Sequence, residues 1–216
     1  WKCRLFRRLI RKIRKRFCQK DFRHRLIPQG SYIFGQLTSM ISPETDFNQE
    51  TLEQIARQMA LAARTAPKAK GHDQLEILIV TGTDKDALAN RMMEIAERQD
   101  APSFLRDSKN IRVCGVVLLI GTKTRQIGLK YCGLCGYANC AAMAAGPGGV
   151  CVFAANDLGI ATGSAVALAA DHRIDTRIMY TAGMAALEQG LFSADVKIAW
   201  AIPLSASGKS PFFDRG

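Results

Sequence analysis

The stretch "VCGVVLLIGT", residues 113–122, is apolar at almost every position and lacks the in–out alternation of a strand with one wet face. A segment of this kind reads as a strand covered on both sides, so the chain must supply a layer of helices above and below it. Two further runs suit the same sheet, "LEILIVTG" at 75–82 and "VKIAWAIPL" at 196–204. Helical spacing fills the intervals. From Asn48 to about Thr65, Leu52, Ile55, Met59 and Ala63 share a face, and Pro67 and Gly71 in "APKAKG" break the pattern. A second helix is expected over 84–99, with Asp84 as N-cap and Leu88, Met92 and Ile95 on its apolar side. Residues 152–170, rich in Ala and Gly, predict a helix suited to close packing, and 175–189 predict another. "SASGKSPFFDRG" at the end has no regular signal. Strands alternating with helices indicate an α/β or α+β layered fold without internal repeats.

Charge divides the chain unevenly. Residues 1–25 hold twelve Lys or Arg and one acid, Asp21, whereas the remaining 191 residues hold 18 basic and 18 acidic side chains. The net charge of +11 therefore belongs to the N-terminal segment and says nothing about partners of the main domain. Within that segment Leu5, Phe6, Leu9, Ile10, Ile13 and Phe17 recur at helical spacing among the cations. The pattern is that of a basic amphipathic helix able to lie on an anionic membrane surface. It has no aromatic platform for nucleic acid, so none is expected as a partner. Met40 leads directly into the first helix of the main domain, and residues 1–42 read as an extension that the domain 43–216 does not require. No apolar run approaches the roughly 20 residues of a membrane span.

Seven cysteines are present: Cys3, Cys18, Cys114, Cys132, Cys135, Cys140 and Cys151. The odd number and the clustering of four within twenty residues argue against a secreted disulfide framework and for a ligand set in a reducing compartment. Their spacing is C-x2-C-x4-C-x10-C. Four thiolates can close a tetrahedral shell around zinc or hold the corners of an iron–sulfur cubane. Zinc sites favour two paired knuckles or added imidazoles, and here the second pair is split while His72 and His172 lie far off in sequence. Gly133 and Gly136 directly follow cysteines, which leaves backbone N–H groups free to approach bridging sulfides. "GPGG" at 146–149 offers a turn that returns Cys151, and residues 131–156 carry no charged side chain. These features suit a desolvated cluster, with zinc and redox thiols as the alternatives. Cys114, inside the expected core strand, reads as a packing residue.

"CGLCGYANCAAMA" resembles the CGxCGxxxCxxxA pattern of the four-iron domains in the Rnf electron-transport B subunit and the corrinoid iron–sulfur protein. Cys132, Cys135 and Cys140 match three ligands of that pattern; the fourth, Cys151, follows sooner than in those domains. A longer resemblance joins "LAARTAPKAKGHDQLEI", "YCGLCGYANC", "ATGSAVALAADHRIDTRIMYTAG" and "IPLSASGKSPFFDR". Over about residues 43–215 it is similar to a family of uncharacterised prokaryotic proteins containing a ferredoxin domain. It implies one [4Fe–4S] cluster in electron transfer with a redox partner protein, and assigns no reaction.

A fainter resemblance is to flavin-dependent nitroreductases, whose A-P-S-x-x-N segment is matched here by Ala66 and Pro67, with Lys68 and Gly71 in place of Ser and Asn. It implies a nitroreductase-like sheet flanked by helices with an inserted Cys-rich loop, a homodimer, and FMN as a second cofactor. Arg64, Lys68 and Lys70 are then the candidates for the flavin phosphate, against a plain role as solvated loop charges. An enzyme of this kind would be an oxidoreductase in which the cluster feeds the flavin. The expected location is cytoplasmic, with residues 1–25 at the inner membrane surface. Asp171 and His172, adjacent in sequence, read as a polar turn.

Overall fold

The computed structural model describes residues 41–213. The expected amphipathic helix, Cys3 and Cys18 lie outside the described residues. Among the described residues, four strands make one sheet: β1 (Leu75–Val80), β2 (Val116–Lys123), β3 (Asp175–Thr176) and β4 (Val196–Ser205), in the order β1-β2-β4-β3. Every pairing is antiparallel, so of the two layered classes the α+β alternative holds. The helices are α1 (Asn48–Thr65), α2 (Gly82–Gln99), α3 (Pro102–Val113), α4 (Cys140–Ala145), α5 (Val152–Asp171) and α6 (Tyr180–Glu188).

β2 explains the architecture. Val116, Leu118 and Ile120 point to one side, toward α1 and α5, where Leu52, Met59, Leu158, Ala161 and Ala165 close the layer. Val117 and Leu119 point to the other, toward α2, α3 and α6, with Leu88, Met92, Ile111 and Ala182. The period of two thus feeds two separate cores, and the strand has no polar face because neither side meets water. A bulge where Thr122 gives way to Lys123 lets Val196 of β4 join the α2 side together with Ala199 and Ala201.

Several boundaries differ from the sequence expectations. The run starting at Val113 is not one strand. α3, which the sequence pattern did not suggest, opens with Pro102 and ends at Val113, and Cys114–Gly115 turn the chain into β2. α2 starts two residues early with Thr81 as N-cap, so Asp84 lies in the first turn, where its charge complements the helix dipole without capping it. The helix expected over 175–189 is shorter. Asp175 and Thr176 pair with β4, Met179 exchanges backbone hydrogen bonds with Ala201, and α6 starts only at Tyr180. The C-terminal tail is irregular as read, yet Phe212 is 2% exposed in the α2-side core and its carbonyl accepts a bond from Arg177.

α5 also corrects an expectation. It is long and apolar enough to cross a membrane by length and composition, because its many Ala residues raise its hydropathy. Its inner face packs on α1, where Ser164 donates to Ala62 O at 3.0 Å.

Candidate metal and cofactor site

The chain leaves β2 at Lys123 and reaches α5 only at Val152; the cysteines lie on this excursion. Its two ends are tied together, since the Cys151 amide donates to Thr124 O at 3.1 Å. Ile127, Met143, Cys151 and Ala154 form a small apolar cluster of their own, joined by the half-buried Cys135, Tyr137 and Leu129. Asn139 caps α4 by accepting from the Ala142 amide at 2.9 Å, which places Cys140 at the first helical position. Cys151 is the N-cap of α5. Both cysteines therefore sit where aligned peptide dipoles favour negative charge.

Tyr137 organises the return of the chain, and sequence reasoning missed it. Its hydroxyl donates to Gly148 O, and its ring lies so close to Gly146 that an added Cβ there would meet ring carbon Cε1 at 2.7 Å. Gly148 adopts φ 112°, a conformation reserved for glycine. The "GPGG" turn is thus wrapped around an aromatic ring, and the pairing of a tyrosine with a glycine turn ten residues later was the available signal. Gly136, at φ 87°, closes the tight turn in which its amide donates to Gly133 O at 3.1 Å.

The four thiols are unequally placed. Cys151 is buried, and Cys135 packs on the same apolar cluster with its sulfur 3.8 Å from Met143 Sδ. Cys132 and Cys140 are half-buried, and all four are free thiols. Among the described residues no three His, Cys, Asp or Glu side chains converge as a metal-ligand group. In chemical kind the donors suit a soft metal or an iron–sulfur cluster. Closing a four-thiolate shell therefore requires the cysteines to be drawn closer together.

The three candidate phosphate-binding cations all have protein partners. Arg64 donates to Asp73 at 2.7 Å and to Leu75 O at 3.0 Å. Lys68 folds back on the end of α1, donating to Arg64 O at 2.6 Å and Ala66 O at 2.9 Å, and its side chain is 5% exposed. Lys70 points the other way, toward Ile127 O and Gly128 O, each 3.3 Å from its ammonium. In this arrangement they do not fit a phosphate grip. The Asp73 carboxyl responds to its surroundings: burial raises its pKa, but the bond from Arg64, the Leu75 amide and the Lys68 charge together hold it below the ordinary range.

Elsewhere, Lys85 is buried and caps the end of α3 through Ile111 O and Arg112 O, both at 3.1 Å. It lines a cavity of about 380 Å³ with Gln49, Thr81 and Cys114. Burial pushes the Cys114 thiol up to about 12, which makes it an inert packing group as expected. An apolar groove of about 890 Å³ runs between α6 and β4, past Met184, Phe192 and Trp200; none of the predicted site residues lines it. His172 ends α5 on the surface, as a polar turn does.

Comparison with other proteins adds the family and the fold. Residues 147–215 match the model of a family described as uncharacterized proteins containing a ferredoxin domain (DUF2148). That span includes Cys151 and not the other three cysteines. An uncharacterized protein from Archaeoglobus fulgidus is 44% identical over 186 residues, covering 82% of this chain and 98% of the relative. Among solved structures, the nitroreductase CinD from Lactococcus lactis, in complex with nicotinic acid, aligns at TM-score 0.53 and 14% identity over 75% of this chain and 84% of its own. A nitroreductase candidate from Desulfovibrio desulfuricans, in complex with FMN, aligns at TM-score 0.50 and 13% identity, over 73% and 76%. At these identities the likeness is one of fold.

Proposed function

Because the chain belongs to the family of uncharacterized proteins containing a ferredoxin domain, we propose that it carries one [4Fe–4S] cluster on Cys132, Cys135, Cys140 and Cys151 and exchanges single electrons with a redox partner protein. The observation that carries the reading is the placement of all four thiols on one excursion from a nitroreductase-like sandwich, tied at its base and folded over its own apolar cluster. When bound, such a cluster supplies a one-electron couple whose potential depends on burial and on hydrogen bonds to its sulfurs. The chain's own part is to hold the thiolates and to shield them. Ile127, Met143 and Ala154 exclude water on one side, and residues 108–156 themselves carry no acidic side chain. Replacing Cys132 or Cys140 by Ala removes a ligand, so the full chain purified without oxygen should lose its iron; unchanged iron content contradicts the ligand set.

The fold favours a second reading, an oxidoreductase in which the cluster feeds FMN. It requires Arg64 and Lys68 to exchange Asp73 and the α1 carbonyls for a phosphate, or other residues to hold it. A yellow chromophore released on denaturing the protein supports this reading, and its absence from protein purified with added FMN counts against it. A homodimer and attachment of residues 1–25 to anionic membranes complete the proposal. Light scattering tests the first. Sedimentation with anionic vesicles, comparing the full chain with one starting at Met40, tests the second.

A further inference from the structure

We propose that the turn Lys68–Gly71 is a bracket that positions the cysteine segment against α5, with Lys70 and Asp157 as its positioning residues; this rests on the cluster reading above. Lys70 holds φ 54°, a backbone conformation that side-chain-bearing residues rarely adopt and that glycine takes freely. What the lysine supplies there is reach. Its ammonium donates to Ile127 O and Gly128 O, on the stretch that runs from β2 into Cys132. Ile127 is 3% exposed and belongs to the same apolar cluster as Cys151, against which Ala69 of the turn also packs.

The other side of the bracket is Asp157. Its side chain is buried on α5, less than two turns beyond the N-cap Cys151, and its carboxylate accepts from the Ala69 amide at 3.1 Å across 88 residues of sequence. A buried carboxylate is expensive unless it is bonded, and this bond fixes the turn to α5. The Cys151 amide on Thr124 O closes the triangle. Three separate links therefore set the relation between one proposed ligand, Cys151, and the approach to the other three. Ordering that relation in advance lowers the entropy lost when the four thiolates close on a cluster.

The test compares Lys70→Gly, Lys70→Arg and wild type as full chains. Glycine suits the turn's φ, so Lys70→Gly should keep its thermal midpoint. Without the ammonium, amides of residues 124–131 should exchange about fivefold faster in the metal-free protein, and the reconstituted cluster should bleach about fivefold faster under a chelator. Lys70→Arg should restore both rates. Unchanged exchange in Lys70→Gly overturns the bracket, as does faster exchange with an unchanged cluster lifetime. A wild type that takes up no iron overturns the cluster reading, and with it the positioning role; the exchange rates then show separately whether the turn holds the segment.

Discussion

Cys114 is buried where Cys132, Cys135 and Cys140 are only half-buried. Cys114 is 3% exposed, its thiol donates to Ile111 O at 3.2 Å, and burial holds it protonated up to about pH 12. Native metal-free protein treated with iodoacetamide at pH 8 should therefore label at Cys132, Cys135 and Cys140 and spare Cys114 until denaturant is added. Peptide mass spectrometry reads the result. Acid sensitivity belongs to this scale as well. The Ser193 hydroxyl and the Lys123 ammonium hold Asp195 down at about 2, and Asp73 is lowered too. A carboxyl whose folded pKa is depressed stabilises the fold above its unfolded value, about 3.9, and that contribution disappears as pH falls through the folded value. The thermal midpoint should drop between pH 4 and 2, and Asp195→Asn should shrink the drop; an equal drop in that variant contradicts the assignment.

Among the elements, α6 approaches β4 closely at Gly183. A Cβ on Gly183 would stand 2.0 Å from Ala199 O, a backbone atom with no rotamer to yield. Gly183→Ala should destabilise the protein by about 2 kcal/mol or more, read from denaturant unfolding, with Gly163→Ala, on the open side of α5, as the control that costs no stability. The same elements show what a sequence discloses. α1 was legible to its ends because Leu52, Ile55, Met59 and Ala63 mark one face between clear breakers. β2 was legible as a doubly covered strand. α3 was not, because its buried positions include Asp107 and Ser108, polar residues that become core only through partners such as Thr181. The start of α6 was hidden for a related reason. Residues 175–179 have helical spacing, and only the open edge of β4 makes them pair with it. In the candidate site, the cysteine spacing was plain on the page. The roles of Tyr137, Asp157 and Lys70 depend on contacts between segments remote in sequence, which no local pattern records.

At the scale of the described domain, a layered sandwich carries a cysteine excursion between β2 and α5 and an apolar groove of about 890 Å³ between α6 and β4. The cores on the two faces of the sheet share no residue with the cluster around Cys151, so the excursion has its own small packing unit. Loss of the metal should accordingly loosen residues 124–151 while the sandwich keeps its fold. Circular dichroism of metal-free protein should then retain most of its helical signal, and loss of that signal would mean that the cluster supports the whole domain. Everything functional rests on what the four thiols bind. Iron, sulfide and zinc analysis of the full chain purified without oxygen, with electron paramagnetic resonance after reduction, tests that directly. The account predicts a brown protein with about four irons and four sulfides per chain and a reduced-cluster signal. A colourless protein with one zinc, or with no metal at all, contradicts it.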